Sequence, residues 1–140
     1  MSKIETPLFD PIVDEQGYVS AITWTLFFQQ LTAGDNGTTF TPIATNLGSV
    51  GTPTINGVYY QNQGFTDFYI TVTPATNTTS TVGSTYFSLP FDVTIDGGCF
   101  ATTTGSSGVG MVDAANNRVY TPNWSAITVP VTISGRVKTV

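Results

Sequence analysis

From Thr38 to the end, apolar and polar residues alternate along the chain in short runs. The alternation predicts strands at residues 40–47 (FTPIATNL), 57–62 (GVYYQN), 66–74 (TDFYITVTP) and 84–95 (STYFSLPFDVTI). It predicts four more at 98–104, 109–113, 117–122 and 126–140. Between them lie NLGS, NQG, ATNTTSTVG, DGG, TTGSSG, AANN and PNW, rich in the residues that favour turns. Short strands with turn signals at this spacing predict an antiparallel all-β domain of about eight strands, a jelly-roll-like sandwich. No helical pattern intervenes that could serve as a crossover, so a parallel βαβ sheet is excluded.

Residues 20–34, SAITWTLFFQQLTAG, break this rhythm. Ile22 to Leu26 alternates as a strand would. Trp24, Phe27, Phe28 and Leu31, however, fall at i, i+3, i+4 and i+7, the stripe of an amphipathic helix. Ser20 is a favourable N-cap, Val19 can staple against Trp24, and Gly34 suits a C-terminal stop. These features predict a short helix of about 13 residues, too short to be stable alone in water. Residues 1–19 carry Pro7, Pro11 and four acidic residues, which predicts an extended arm. The expected organisation is an arm and helix over 1–34, followed by a β domain over 35–140.

Composition sharpens the picture. Charged residues make up 9 % of the chain, against roughly 25 % in an average soluble protein. Threonine, with 26 copies, takes their place; it fits a pleated strand while presenting a hydroxyl. A chain with so little charge has weak electrostatic protection against association. The formal net charge is −5, and Lys3, Arg118, Arg136 and Lys138 are the only basic residues. Four scattered cations cannot track a phosphate backbone, so no nucleic-acid partner is expected. No apolar run approaches the ~20 residues of a membrane-spanning helix. The first residues also lack the apolar core of a secretory signal, so synthesis without export is expected. Cys99 is the sole cysteine, which excludes an intrachain disulfide; its setting, GGCFA, reads as a small core residue.

Candidate chemistry is sparse. The chain has no histidine, which removes the commonest general base and metal ligand. Asp92 and Asp96 share a face if their strand is continuous, but would then stand roughly 13 Å apart. Glycosidase pairs need ~5–9.5 Å. Asp35 and Asp113 read as turn residues, without the spacing of a calcium loop. No phosphate-binding glycine motif is present. Neither enzymatic activity nor a cofactor or metal is expected. Tyr120, Asn123 and Trp124 form the one cluster with ligand-binding character. An aromatic face beside an amide can stack on and hydrogen-bond a surface glycan. The alternative is that Trp124 simply closes the core.

Several phrases stand in one order: LFDPIVDEQGYVSAITWTLFFQQL, then GDNG, INGVYYQNQGFTDFYITVTP, TYFSLPF and RVYTPNWSAITVPVTISGRVKTV. Among them are S-L-P-F at Ser88 to Phe91 and I-S-G-x-V at Ile133 to Val137. This order resembles small structural proteins of tailed bacteriophages, in which such a helix precedes a β-sandwich. The resemblance implies a homotrimeric virion protein, attached to capsid, tail or fibre through its N-terminal arm. Its head would act as a short fibre or knob for host recognition, or as a capsid decoration that stabilises the particle. A lectin-like glycan-binding module is the alternative from another class. The chain has no repetitive shaft, which favours a compact knob over a long fibre. Trp24, Phe27, Phe28 and Leu31 would then form the oligomer or anchor interface. Burying four such side chains is worth on the order of 6–12 kcal/mol before entropy costs. The alternative is that the helix packs on its own sandwich.

Overall fold

The computed structural model describes residues 37–104 and 106–139, within one compact unit, Gly37–Val140. The helix expected over 20–33, with Trp24, Phe27, Phe28 and Leu31, lies outside the described residues, as does the arm. Every regular element among the described residues is a strand. In chain order these are β1 (Thr38–Phe40), β2 (Ala44–Thr45), β3 (Gly48–Val50), β4 (Thr54–Asn62), β5 (Phe65–Thr73) and β6 (Asn77–Ser80). They continue as β7 (Tyr86–Ser88), β8 (Gly97–Thr103), β9 (Ser106–Asp113), β10 (Arg118–Tyr120), β11 (Trp124–Ala126) and β12 (Val131–Lys138). All pairings are antiparallel, as the alternation predicted. The strands exceed the expected eight and divide unequally. Nine form one sheet, ordered β1-β4-β5-β12-β8-β9-β10-β7-β2, and three form a small sheet, ordered β11-β6-β3.

The long strands follow from their sequence. In β5, Thr66, Phe68, Ile70 and Val72 point inward and their neighbours point outward, the period of two that a half-buried strand requires. β4 and β5 are joined by Gln63 and Gly64, both left-handed at φ 50° and 85°. Such a two-residue turn matches the twist of its strands and sets the register from Thr54 opposite Thr73 to Asn62 opposite Phe65. β12 lies between β5 and β8, so the last strand in sequence runs through the interior of the large sheet.

The large sheet is curled. Its edge strands, β1 and β2, are separated by only Thr41, Pro42 and Ile43. Four residue steps span at most about 14 Å. In a flat nine-stranded sheet the same edges would stand roughly 38 Å apart, at about 4.8 Å per strand. The connection therefore brings opposite edges together and folds one face of the sheet inward around the core. Phe68, Ile70, Val72, Phe87, Val112, Val119 and Ile133, drawn from both halves of the sheet, form one buried cluster.

The segment 84–95 shows how pattern and hydrogen bonding separate. Thr85, Phe87, Leu89, Phe91 and Val93 are all buried, with more exposed residues between them. Ladder pairing, however, covers only Tyr86–Ser88. Pro90 has no N–H to contribute. The chain continues inward, and Phe91 lands 5.2 Å from the Tyr59 ring and 6.3 Å from Phe68, centroid to centroid. Tyr59 and Phe68 belong to β4 and β5, far from β7 in the sheet order.

The small sheet is built from segments that read as connections. β3 begins in NLGS, β6 lies in ATNTTSTVG and β11 begins in PNW. These stretches have little apolar content, but Thr78 and Ser80 are buried on alternate positions of β6. Ser80 Oγ donates to the Pro122 carbonyl and accepts from Trp124 N–H, tying β6 to β11. Strand 126–140 is likewise shorter than expected. It starts at Val131, directly after Pro130.

Phe91 and Phe100 test the inward–outward assignment. Phe91 is 8 % exposed and Phe100 58 %. Phe91→Ala should cost about 3–5 kcal/mol in urea unfolding. Phe100→Ala should cost about 0.5 kcal/mol or less, as for other surface substitutions. Equal losses would contradict the assignment.

Candidate functional site

Three of the four carboxylates among the described residues, Asp92, Asp96 and Asp113, converge on one turn, residues 113–118, between β9 and β10. Asp113 Oδ1 accepts from Ala115 N–H at 3.0 Å. Its Oδ2 accepts from Asn116 Nδ2 at 2.9 Å and from Arg118 Nε at 3.0 Å. Asp96 Oδ1 accepts from Ala114 N–H at 2.8 Å. Asp92 Oδ1 accepts from Asn117 Nδ2 at 2.9 Å. Asp92 and Asp96 thus pin the 89–96 segment to this turn. No group of three acidic, Cys or His side chains is placed to hold a metal among the described residues.

Asn117, which the sequence marks only as a turn residue, is the hub. It is left-handed at φ 49°, a conformation that Asn tolerates better than most residues. Its carbonyl accepts from Leu89 N–H at 2.9 Å and its Oδ1 from Val93 N–H at 2.9 Å. Its Nδ2 donates to Asp92. One asparagine therefore fixes both ends of the stretch that delivers Phe91 to the core.

The basic side chains of this domain all lie over aromatic rings. The Arg118 guanidinium is 4.5 Å from the Tyr86 ring centroid and 5.0 Å from that of Tyr120. Arg136 and Lys138 lie 5.0 and 5.2 Å from the Phe65 ring. Such placement stabilises each cation modestly and engages the ring.

The three residues of the sequence-derived cluster occupy different settings. Tyr120 is on the outer face of β10, packed edge-on against Tyr86 at 5.3 Å. Asn123 Oδ1 accepts from Val82 N–H at 2.6 Å and so holds the 81–84 turn. Trp124 is half-buried against the core, and its indole N–H donates to Thr121 Oγ1 at 2.7 Å. Of the three, Tyr120 lines a groove of about 510 Å³, together with Val82, Val109, Met111, Asp113 and Thr121. The groove is mostly apolar, and Asp113 contributes a carboxylate already engaged by its own turn.

Comparison with known protein families, with curated proteins and with solved structures finds no match.

Two titrations test this geometry. The Asn116 amide, together with Arg118 and the Ala115 N–H, holds the Asp113 carboxyl below its ordinary value. A carboxylate depressed in the folded state stabilises above its unfolded pKa of about 3.9, and that contribution is lost as pH falls through the folded value. Asp113→Asn should therefore melt below the wild type at neutral pH, and the gap should close in acid. A gap that stays constant down to the acid limit of folding would refute the assignment. Cys99 is 1 % exposed, and burial pushes its thiol up to about 11. An aromatic disulfide reagent at about pH 8 should leave it unmodified in the native protein and titrate it fully in urea.

Proposed function

We propose that the protein is a structural component of a bacteriophage particle, a homotrimeric short fibre or knob. Residues 1–34 attach it to other virion proteins and bring the copies together through Trp24, Phe27, Phe28 and Leu31. The β domain projects as the head, its curled sheet serving as a jelly-roll-like sandwich closed around Phe91. In this reading the protein resides in the virion and has no catalytic role.

The observation that carries the reading is the character of the domain surface. Among the described residues four aspartates stand against three basic side chains, so the domain is close to neutral. Eleven large apolar side chains, from Phe65 at 39 % to Ile43 at 71 %, are exposed on it. A near-neutral surface with this much apolar area favours association over independent solution. The four carboxylates and three cations are engaged with turns, rings or each other, which fits a framework better than a reaction centre. The order of sequence phrases described above points to the virion as the setting.

The test is the mass in solution of the full chain and of a Phe27→Asp, Phe28→Asp double variant, by light scattering. The wild type should be a trimer. The variant should be a monomer with an unchanged β-rich circular dichroism spectrum. A double variant that assembles normally would remove the N-terminal segment from the interface.

A further inference from the structure

Strand register sorts the outward side chains of the large sheet into rows. In one row Val58 stands opposite Tyr69, Tyr69 opposite Ser134, Ser134 opposite Phe100, and Phe100 opposite Val109. Tyr69, Phe100 and Val109 are 44, 58 and 67 % exposed. The row on one side runs Asn56, Thr71, Thr132, Thr102 and Ser107, all hydroxyl or amide side chains. On the other side Asp67 is paired with Arg136 at 3.8 Å, and Met111, half exposed, stands opposite Gly98. A central row crossing five strands, apolar except at Ser134, is thus bordered by hydroxyls along one side and by an ion pair along the other. That is the anatomy of a protein–protein contact, with an apolar middle and a polar rim.

We propose that this outer face of β4, β5, β12, β8 and β9 is where a second copy of the chain docks. The proposal rests on the reading that the protein self-associates, and it places a contact in the β domain itself rather than only in the N-terminal segment. The size fits. The exposed parts of Tyr69, Phe100, Val109 and Met111 amount to on the order of 400 Å², the size of the largest apolar patch on a protein surface, which is often a functional one. That is about half of what each partner gives to a standard interface, and the polar rows on either side supply area for the rest. The charge also fits another copy of the chain. The two arginines near the patch have their own acids, Arg136 with Asp67 and Arg118 with Asp113, and Lys138, beyond Arg136 on β12, lies over the Phe65 ring. A border with a single cation left over sets up little repulsion against another copy, and one such lysine is too few to hold a nucleic acid or an anionic membrane. Val109 and Met111 also form a wall of the 510 Å³ groove, which gives a protruding apolar side chain of the second copy a place to enter.

The experiment compares the full-length wild type, Phe100→Ser with Val109→Ser, and Phe27→Asp with Phe28→Asp, by sedimentation over a range of concentrations. The outer-face variant should self-associate about tenfold more weakly or worse, as for the loss of central contact residues. Wild-type association in that variant overturns the proposal. A second measurement does not depend on how well the double variant folds. Val109→Cys and Val50→Cys are alkylated with a maleimide as protein concentration rises, the native Cys99 being buried. Cys at 109 should become protected on assembly and Cys at 50, on the small sheet, should not. Equal labelling at the two positions overturns the proposal. If only the N-terminal variant loses assembly, the docking face falls and the proposed function stands. If only the outer-face variant loses it, the docking face stands and the N-terminal role falls. A wild type that stays monomeric at every concentration overturns both.

Discussion

The β domain depends on one packing event, the insertion of Phe91 between Tyr59 and Phe68. Those rings belong to strands on one side of the nine-stranded sheet, and Phe91 arrives from the other. A sheet of this size with one apolar face exposes too much of it if it stays open. Curling lets the face cover itself, and an aromatic trio gives the two halves a shared centre. The short connection between β1 and β2 allows no other arrangement, because three residues cannot span an uncurled sheet.

That insertion draws on one cluster of polar side chains. Asn117 takes the backbone N–H groups of Leu89 and Val93, which Pro90 and the end of the ladder leave without strand partners. Asp92 and Asp96 reach back to the same turn, and Asp113 and Arg118 stiffen it from within. A chain with so few charges has spent them on geometry. Buried hydroxyls do the rest. Thr66 and Thr139 bond to each other at 2.9 Å near the end of β12, and Thr85 Oγ1 donates to the Asn46 carbonyl at 2.7 Å. Threonine suits this work because its branched carbon fills a strand position while its hydroxyl closes a local hydrogen bond.

The same economy leaves the outside unusual. With the cations drawn onto aromatic rings, three acids held at a turn and Asp67 paired with Arg136, the outer face of the large sheet has little to repel a neighbour. Its hydroxyl row and its apolar row lie side by side because strand register aligns side chains across the sheet, and neither row can be read along the chain. This ties the proposed role to the fold. A curled sheet has one face for its own core and one to offer, and here the offered face has an apolar centre.

Much of the domain was legible in the alternation of its residues. Alternation over 66–74 marked a strand, in which Phe68, Ile70 and Val72 are buried, and NQG marked the hairpin turn; Cys99 read as core and is buried. These are local properties, set by the backbone's two-residue repeat and by which residues tolerate a left-handed turn. Three features were not legible because they depend on residues distant in sequence. β3, β6 and β11 are strands only because they pair with one another; their Thr and Ser content equally suits a loop. Segment 84–95 keeps the burial pattern of a strand but not its ladder, since hydrogen bonding needs a neighbour and burial needs only a core. Tyr120, Asn123 and Trp124 are adjacent in sequence, yet one lies on the outer face, one holds a turn and one packs on the core. Sequence alone determined the all-β class and the alternation of its long strands. Tertiary structure alone decided which strands meet and which side chains share a surface, because register across a curled sheet is set by closure of the whole and not by any one strand.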